Sequence, residues 1–306
     1  MNINWGVDII DFVDIPNALT CARCKKDGLS KQDLKRCGGC RAAMYCSRDC
    51  QREDWPSHRP LCRPGSVDTG AQAVGYQASM SLANAVRDWA NVHRETVSTM
   101  VHALVRSAGG VERVLKDEEG VFICLRSLQR VFDNPATALE ITSLSLLNKH
   151  VRSEPIFVQW EEPQKSYRES LAASHARKNT NPRRAGMIPV TYVVEGTDLV
   201  VHSQETLYRP HFHASDCPVD ELTAAAFKDI LSLCIRSVST GLVLRASSGS
   251  DSVVPDAGYM VRQKKTWEWK RSEDPTALML ALINSDDVPR HTSLSITQLW
   301  ALWKIW

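Results

Sequence analysis

Residues 21–62 read CARCKKDGLSKQDLKRCGGCRAAMYCSRDCQREDWPSHRPLC, and this stretch decides how the N-terminal part of the chain folds. It holds seven of the ten cysteines in a 306-residue chain. An even spread would place about 1.4 there. The cysteines fall into ordered pairs: Cys21-x2-Cys24, Cys37-x2-Cys40, Cys46-x3-Cys50 and His58-x3-Cys62. Eight ligands of this kind suit two tetrahedral zinc sites. A Cys-x2-Cys turn brings two thiolates onto one ion, and the i,i+4 spacing of Cys46/Cys50 and of His58/Cys62 points each pair from one helical face. Ser47 suits the N-cap of a short helix through Cys50 and Gln51, and Pro56 the first turn of a second helix carrying His58 and Cys62. A disulfide framework is the alternative. It needs an oxidising compartment, and it leaves unexplained why a histidine sits at ligand spacing.

The pairs, with the run Tyr45-Cys46-Ser47-x2-Cys50-Gln51-x3-Trp55-x2-His58-x3-Cys62, resemble the MYND-type zinc finger. The resemblance covers about one seventh of the chain. It implies a cross-brace, with Cys21, Cys24, Cys46 and Cys50 on one zinc and Cys37, Cys40, His58 and Cys62 on the other. Both ions would be structural with closed shells, and metal binding would supply most of the folding energy of so small a unit. The family also resembles a peptide-docking module in which a proline-containing segment adds beside a short strand. The matching positions are Gln51 and Trp55 as side-chain contacts, with Ala43-Met44-Tyr45 as the strand. The alternative for Trp55 is packing of the finger against the rest of the chain.

Residues 21–63 carry eleven Lys+Arg against five Asp+Glu. Seven thiolates and two Zn²⁺ take three units off that excess, leaving about +3. With a formal net charge of only +2 for the whole chain, nucleic acid is an unexpected partner. The first twenty residues contain Asp8, Asp11 and Asp14 but no Lys or Arg, unlike a secretory signal, and charges interrupt every apolar run before membrane-spanning length. The expectation is an intracellular protein without a membrane segment, nuclear or cytoplasmic.

The organisation expected is an N-terminal segment (1–20), the finger (21–62), a linker rich in Gly and Pro (63–78) and an α+β domain (79–306). Leu82, Val86, Trp89, His93, Val97, Met100 and Leu104 form one stripe, predicting a single helix over 81–107 that Gly109-Gly110 stops. His93 within it reads as a packed histidine. Residues 121–128 and 138–147 read as strands, 187–208 as a hairpin closed at Gly196, and Cys217 to Val238 as a second helix. Leu242-Val-Leu244 is expected to return to the sheet. Two polar stretches, 161–185 and 246–258, read as loops, the first ending in Arg183-Arg184, a candidate anionic contact or nuclear address. The row Trp300, Trp303, Trp306 reads as core or docking surface.

An enzyme reading places an active site in residues 79–306 with the finger as a targeting module. SET-type lysine methyltransferases carry such fingers, but an Asn-His-x-x-x-Asn-like motif and a second cysteine cluster are absent. The oxygenase facial triad is approached at His211, His213 and Asp216, with the wrong spacing. Cys124, Cys217 and Cys234 read as buried thiols. The whole resembles fungal proteins with one MYND finger ahead of an uncharacterised region. The leading expectation is an adaptor that docks a proline-containing segment of a partner protein.

Overall fold

The run Ile188 to Val194 is buried at every residue, so it reads as a strand covered on both faces. The computed structural model describes residues 8–10, 21, 23–24, 26, 33–37, 44–59, 71, 74, 79–128, 134–147, 183–197, 199–210, 219–247, 253–264, 266–284 and 290–305. It places this run in the middle of a five-stranded sheet. The sheet contains β1 (Asp8–Ile10), β4 (Gly120–Ser127), β5 (Leu139–Leu147), β6 (Arg184–Val194) and β7 (Leu199–Tyr208), in the order β1-β7-β6-β4-β5. β6 and β7 form the expected antiparallel hairpin turning at Gly196, β4 runs antiparallel to β5, and β4 and β6 are parallel. β1 adds at the edge in parallel, Asp8 to Ile10 beside Leu199 to Val201, so a strand ahead of the finger joins a sheet built from the chain behind it.

The helical layer departs from a single long helix. The stripe is divided between α2 (Ser79–Val92) and α3 (Arg94–Ser107), with His93 at the joint at φ −95° and ψ 18°. His93 is fully buried, and its Nε2 lies 2.9 Å from the Ala136 carbonyl. That fixed bond holds the residue away from helical ψ. The ladder continues across it, from His93 N–H to the Trp89 carbonyl and from Val97 N–H to the His93 carbonyl, so the apolar stripe survives the break. Gly109 and Gly110, at φ +98° and +92°, end α3 as expected, in backbone that L side chains avoid. α4 (Val111–Lys116) follows.

α5 (Glu221–Ser239), capped by Asp220, buries Ala226, Phe227, Ile230, Leu233, Cys234 and Val238 against α3 and the sheet. The short strand predicted at 242–244 forms as β8 (Val243–Arg245), but it does not return to the main sheet. It pairs with β9 (Asp256–Gln263), which pairs with β10 (Thr266–Arg271), in a separate three-stranded sheet. The stretch read as a loop to 258 therefore overran, because Asp256 is buried and bonded to Arg271 Nε at 2.6 Å. The loop at 161–185 also ends early: Arg184 already belongs to β6.

α6 (Pro275–Ile283) and α7 (Ile296–Ile305) close the body. Asp229 on α5 anchors the segment between them, accepting from the backbone N–H groups of His291 and Thr292 and from the Thr292 hydroxyl. Of the tryptophan row, Trp300 is core and Trp303 packs on Phe227, while Trp306 lies outside the described residues. No helix among the described residues is long and apolar enough to cross a membrane.

Candidate metal centre and docking face

In the finger, β2 (Lys35–Arg36) and β3 (Met44–Tyr45) form a two-stranded antiparallel ribbon that leads directly into α1 (Arg48–His58). Ser47 caps α1 as predicted, its hydroxyl accepting from the Cys50 N–H at 3.1 Å. The two short helices anticipated around Cys50 and Pro56 are one, with Pro56 inside it. Continuity holds because Arg59 N–H still reaches the Trp55 carbonyl at 2.8 Å beyond the proline. Cys46 consequently lies just ahead of the cap rather than on a helical face. The turn at Ser47 brings it to Cys50.

Cys21 and Cys24 come from the loop ahead of β2. Together with Cys46 and Cys50 they place four Sγ atoms within 4.8 Å of one another. The Cys24–Cys46 and Cys46–Cys50 separations are both 3.6 Å. A tetrahedron with Zn–S bonds of about 2.3 Å has S···S edges of about 3.8 Å. A disulfide would bring two sulfurs to about 2.05 Å, and these thiols are free. The donor set fits zinc and not a disulfide. Burial acts to raise the Cys21 thiol, but backbone N–H groups of Cys24, Cys46 and Arg23 bring it down to about 6. Cys46, hydrogen-bonded to Cys50, is pushed up to about 12. Four sulfurs this close cannot all ionise without a cation among them, and a divalent ion resolves that conflict.

Of the second expected quartet, Cys37 is buried and His58, the last residue of α1, is half-buried. Cys40 and Cys62 lie outside the described residues. The His58 ring sits 6.2 Å from Tyr45 and 6.0 Å from Trp55, centroid to centroid.

The three residues expected to contact a peptide differ in placement. Tyr45 is buried, and its hydroxyl donates to Asp54 Oδ2 at 2.7 Å, so it presents only backbone. Gln51 and Trp55 are one turn apart on α1 and share a face. Trp55 is 41% exposed, far more than a side chain clamped against the body.

Elsewhere, His93 is structural as expected. Cys234 is buried, its thiol pushed up by burial, whereas Cys124 is only half-buried. His211, His213, Asp216 and Cys217 lie outside the described residues. Sequence reasoning passed over a pair on α3, His102 and Arg106, one turn apart and both buried beneath Trp303. The signal was there in two basic residues four apart within the otherwise apolar run from Met100 to Arg106.

Residues 21–62 match the MYND finger family. The segment is thus a zinc-binding protein-interaction module, and the cysteine cluster is its metal site. The chain is 37% identical over 79 residues to Tudor domain-containing protein 1 of Oryzias latipes, which covers 26% of this chain and 6% of that protein. It is 50% identical over 46 residues to the N-lysine methyltransferase SMYD2 of Bos taurus, and 48% identical over 44 residues to the histone-lysine N-methyltransferase SMYD3 of Mus musculus. Each of these two alignments covers 14% of this chain and 10% of the relative. The chain therefore spans a tenth or less of the relatives' length, and the methyltransferase alignments reach no further than the finger. No solved structure matches the chain.

Proposed function

We propose that this protein is an intracellular adaptor whose finger docks a proline-containing peptide of a partner protein. The observation that carries this reading is Trp55, exposed one turn after Gln51 on a helix that starts beside β3. Among the described residues the ribbon consists of β2 and β3 alone, so β3 offers its second edge for strand addition. A peptide there takes main-chain bonds from Met44 and Tyr45, while the Trp55 ring forms a flat wall suited to proline. In this reading a second structural zinc is held by Cys37, Cys40, His58 and Cys62, and residues 79–306 form a body that adds its own specificity.

The lysine methyltransferases share only the finger with this chain, so their chemistry does not carry over to the body. The test is an array of short proline-containing peptides probed with the full chain and with Gln51→Ala. Binding to a subset of peptides, weakened by the substitution, is expected. A uniformly blank array, or equal binding by the variant, would remove the peptide reading.

A further inference from the structure

Helix α1 has two kinds of surface. At about 3.6 residues per turn, Arg48, Gln51, Arg52, Trp55 and Arg59 fall within about 100° of one another around its axis. The three arginines are exposed, as is Trp55, and Gln51 is half-buried. The acids of the helix lie elsewhere. Asp49 and Glu53 are turned from Trp55 by about 120° and about 160°. Asp54, on the side facing β3, accepts from the Tyr45 hydroxyl. The ring that the peptide reading assigns to proline is thus bordered by cations, with the carboxylates kept off that face.

Two of these cations are not neutralised within the finger. Arg52 meets Asp49 at 3.2 Å, in a pair exposed on both sides and therefore weak. Glu53 faces Arg23 at 3.6 Å. Among the described residues no carboxylate pairs with Arg48 or Arg59. Arg48 is moreover the first residue of the helix, where a cation meets the positive end of the macrodipole and adds nothing to its stability. Arg48 and Arg59 stand about 16 Å apart along the axis, with Trp55 between them. An extended segment covers that distance in about five residues.

We infer that the segment docked along α1 is acidic: a peptide with Asp or Glu two or three residues to either side of its proline. Its carboxylates meet Arg48 and Arg59 while the proline lies on Trp55. The inference rests on the peptide reading of the finger and narrows it to one chemical class of partner. Carboxylates suit these side chains because a guanidinium offers them paired N–H groups. Being exposed, such pairs select among peptides and speed encounter more than they tighten binding.

The test uses the full, zinc-loaded chain and an array of short peptides with a central proline. Matched sets carry Glu, Gln or Lys two and three residues from it, and affinities are read by fluorescence anisotropy. At low salt the Glu set is expected to bind roughly three- to tenfold more tightly than the Gln set, with the Lys set weakest. That advantage should shrink as salt rises, since exposed charges are screened beyond about 10 Å at 0.1 M. In Arg48→Gln/Arg59→Gln, checked for zinc content, the ratio of Glu to Gln affinities should fall toward one. The salt series on wild type makes the same test without a variant. Equal affinity of wild type for the Glu and Gln sets would overturn the inference and leave the peptide reading standing. Binding of no peptide in any set would remove both. A single-stranded RNA oligonucleotide serves as the competing polyanion. RNA binding that the double substitution abolishes, and that no proline-containing peptide displaces, would assign this face to a phosphate backbone and overturn the inference.

Discussion

Replacing Cys46 with alanine removes the sulfur that lies 3.6 Å from both Cys24 and Cys50, opening the tetrahedron at a shared corner. The consequence is large because the finger has little else to hold it. Among its described residues the buried apolar side chains besides cysteine are Leu34 and Tyr45, each contributing about 1.5–3 kcal/mol. A structural zinc contributes about 10–16 kcal/mol. Loss of even a supporting group around a metal lowers affinity by 10–100-fold, so loss of a ligand is expected to cost at least about 100-fold. Zinc content should be measured by atomic emission after equilibration with a competing chelator, alongside thermal unfolding. Cys46→Ala should retain less zinc per chain than wild type, while the unfolding of the body keeps its midpoint, since its core is built from other residues. Equal zinc retention under the same competition would refute the assignment of this cluster as a metal site.

Other parts of the structure make further predictions. Asp229→Ala leaves the backbone donors of His291 and Thr292 without their acceptor, and bonds to a charged group contribute about 1.5–3 kcal/mol each. A loss of roughly 3–5 kcal/mol in urea denaturation is expected. A loss under 1 kcal/mol would mean that the segment before α7 is not anchored there. His93 is lowered to about 4, mainly by burial, with the Arg245 charge adding to this and the Ala136 carbonyl bond opposing it. Because the unfolded chain takes up that proton first, the contribution is complete above about pH 6.5 and falls as pH drops toward 4, by about 3 kcal/mol. Stability curves at pH 7 and pH 4.5 should therefore diverge less for His93→Gln than for wild type, and identical divergence would show the ring is not held neutral. Ser47→Ala removes the cap on α1, and a loss of about 1 kcal/mol corresponds to roughly fivefold weaker zinc binding. Unchanged chelator competition would mean that the cap does not support the site.

The finger was legible because metal-ligand spacing is short-range information: each pair, with its turn or cap, lies within five residues. Among its described residues two readings changed: two helices became one, because Pro56 was treated as a start signal when the ladder around it tolerates one missing donor, and Cys46 sits ahead of the cap rather than on a helical face. In the body, period and turn chemistry located the β6–β7 hairpin, β4, β5 and α5. They could not show that the helix carrying the stripe from Leu82 to Leu104 is interrupted, because the interruption depends on His93 reaching the Ala136 carbonyl, 43 residues away. β8 was placed correctly along the chain but assigned to the wrong sheet, since a three-residue strand carries no record of its partner. Arg106 stayed hidden for a related reason. Its neighbours Phe227 and Trp303 meet only after the chain has folded.

The most direct test of the account compares full-length wild type with Trp55→Ala, matched for zinc content, in titrations against a proline-containing peptide that wild type binds. Trp55 contributes an exposed wall and no ligand to the metal, so the account predicts unchanged zinc and stability with binding weakened at least tenfold. Equal affinity in the two proteins would contradict it and return Trp55, and with it the docking face on α1, to the surface of a purely structural finger.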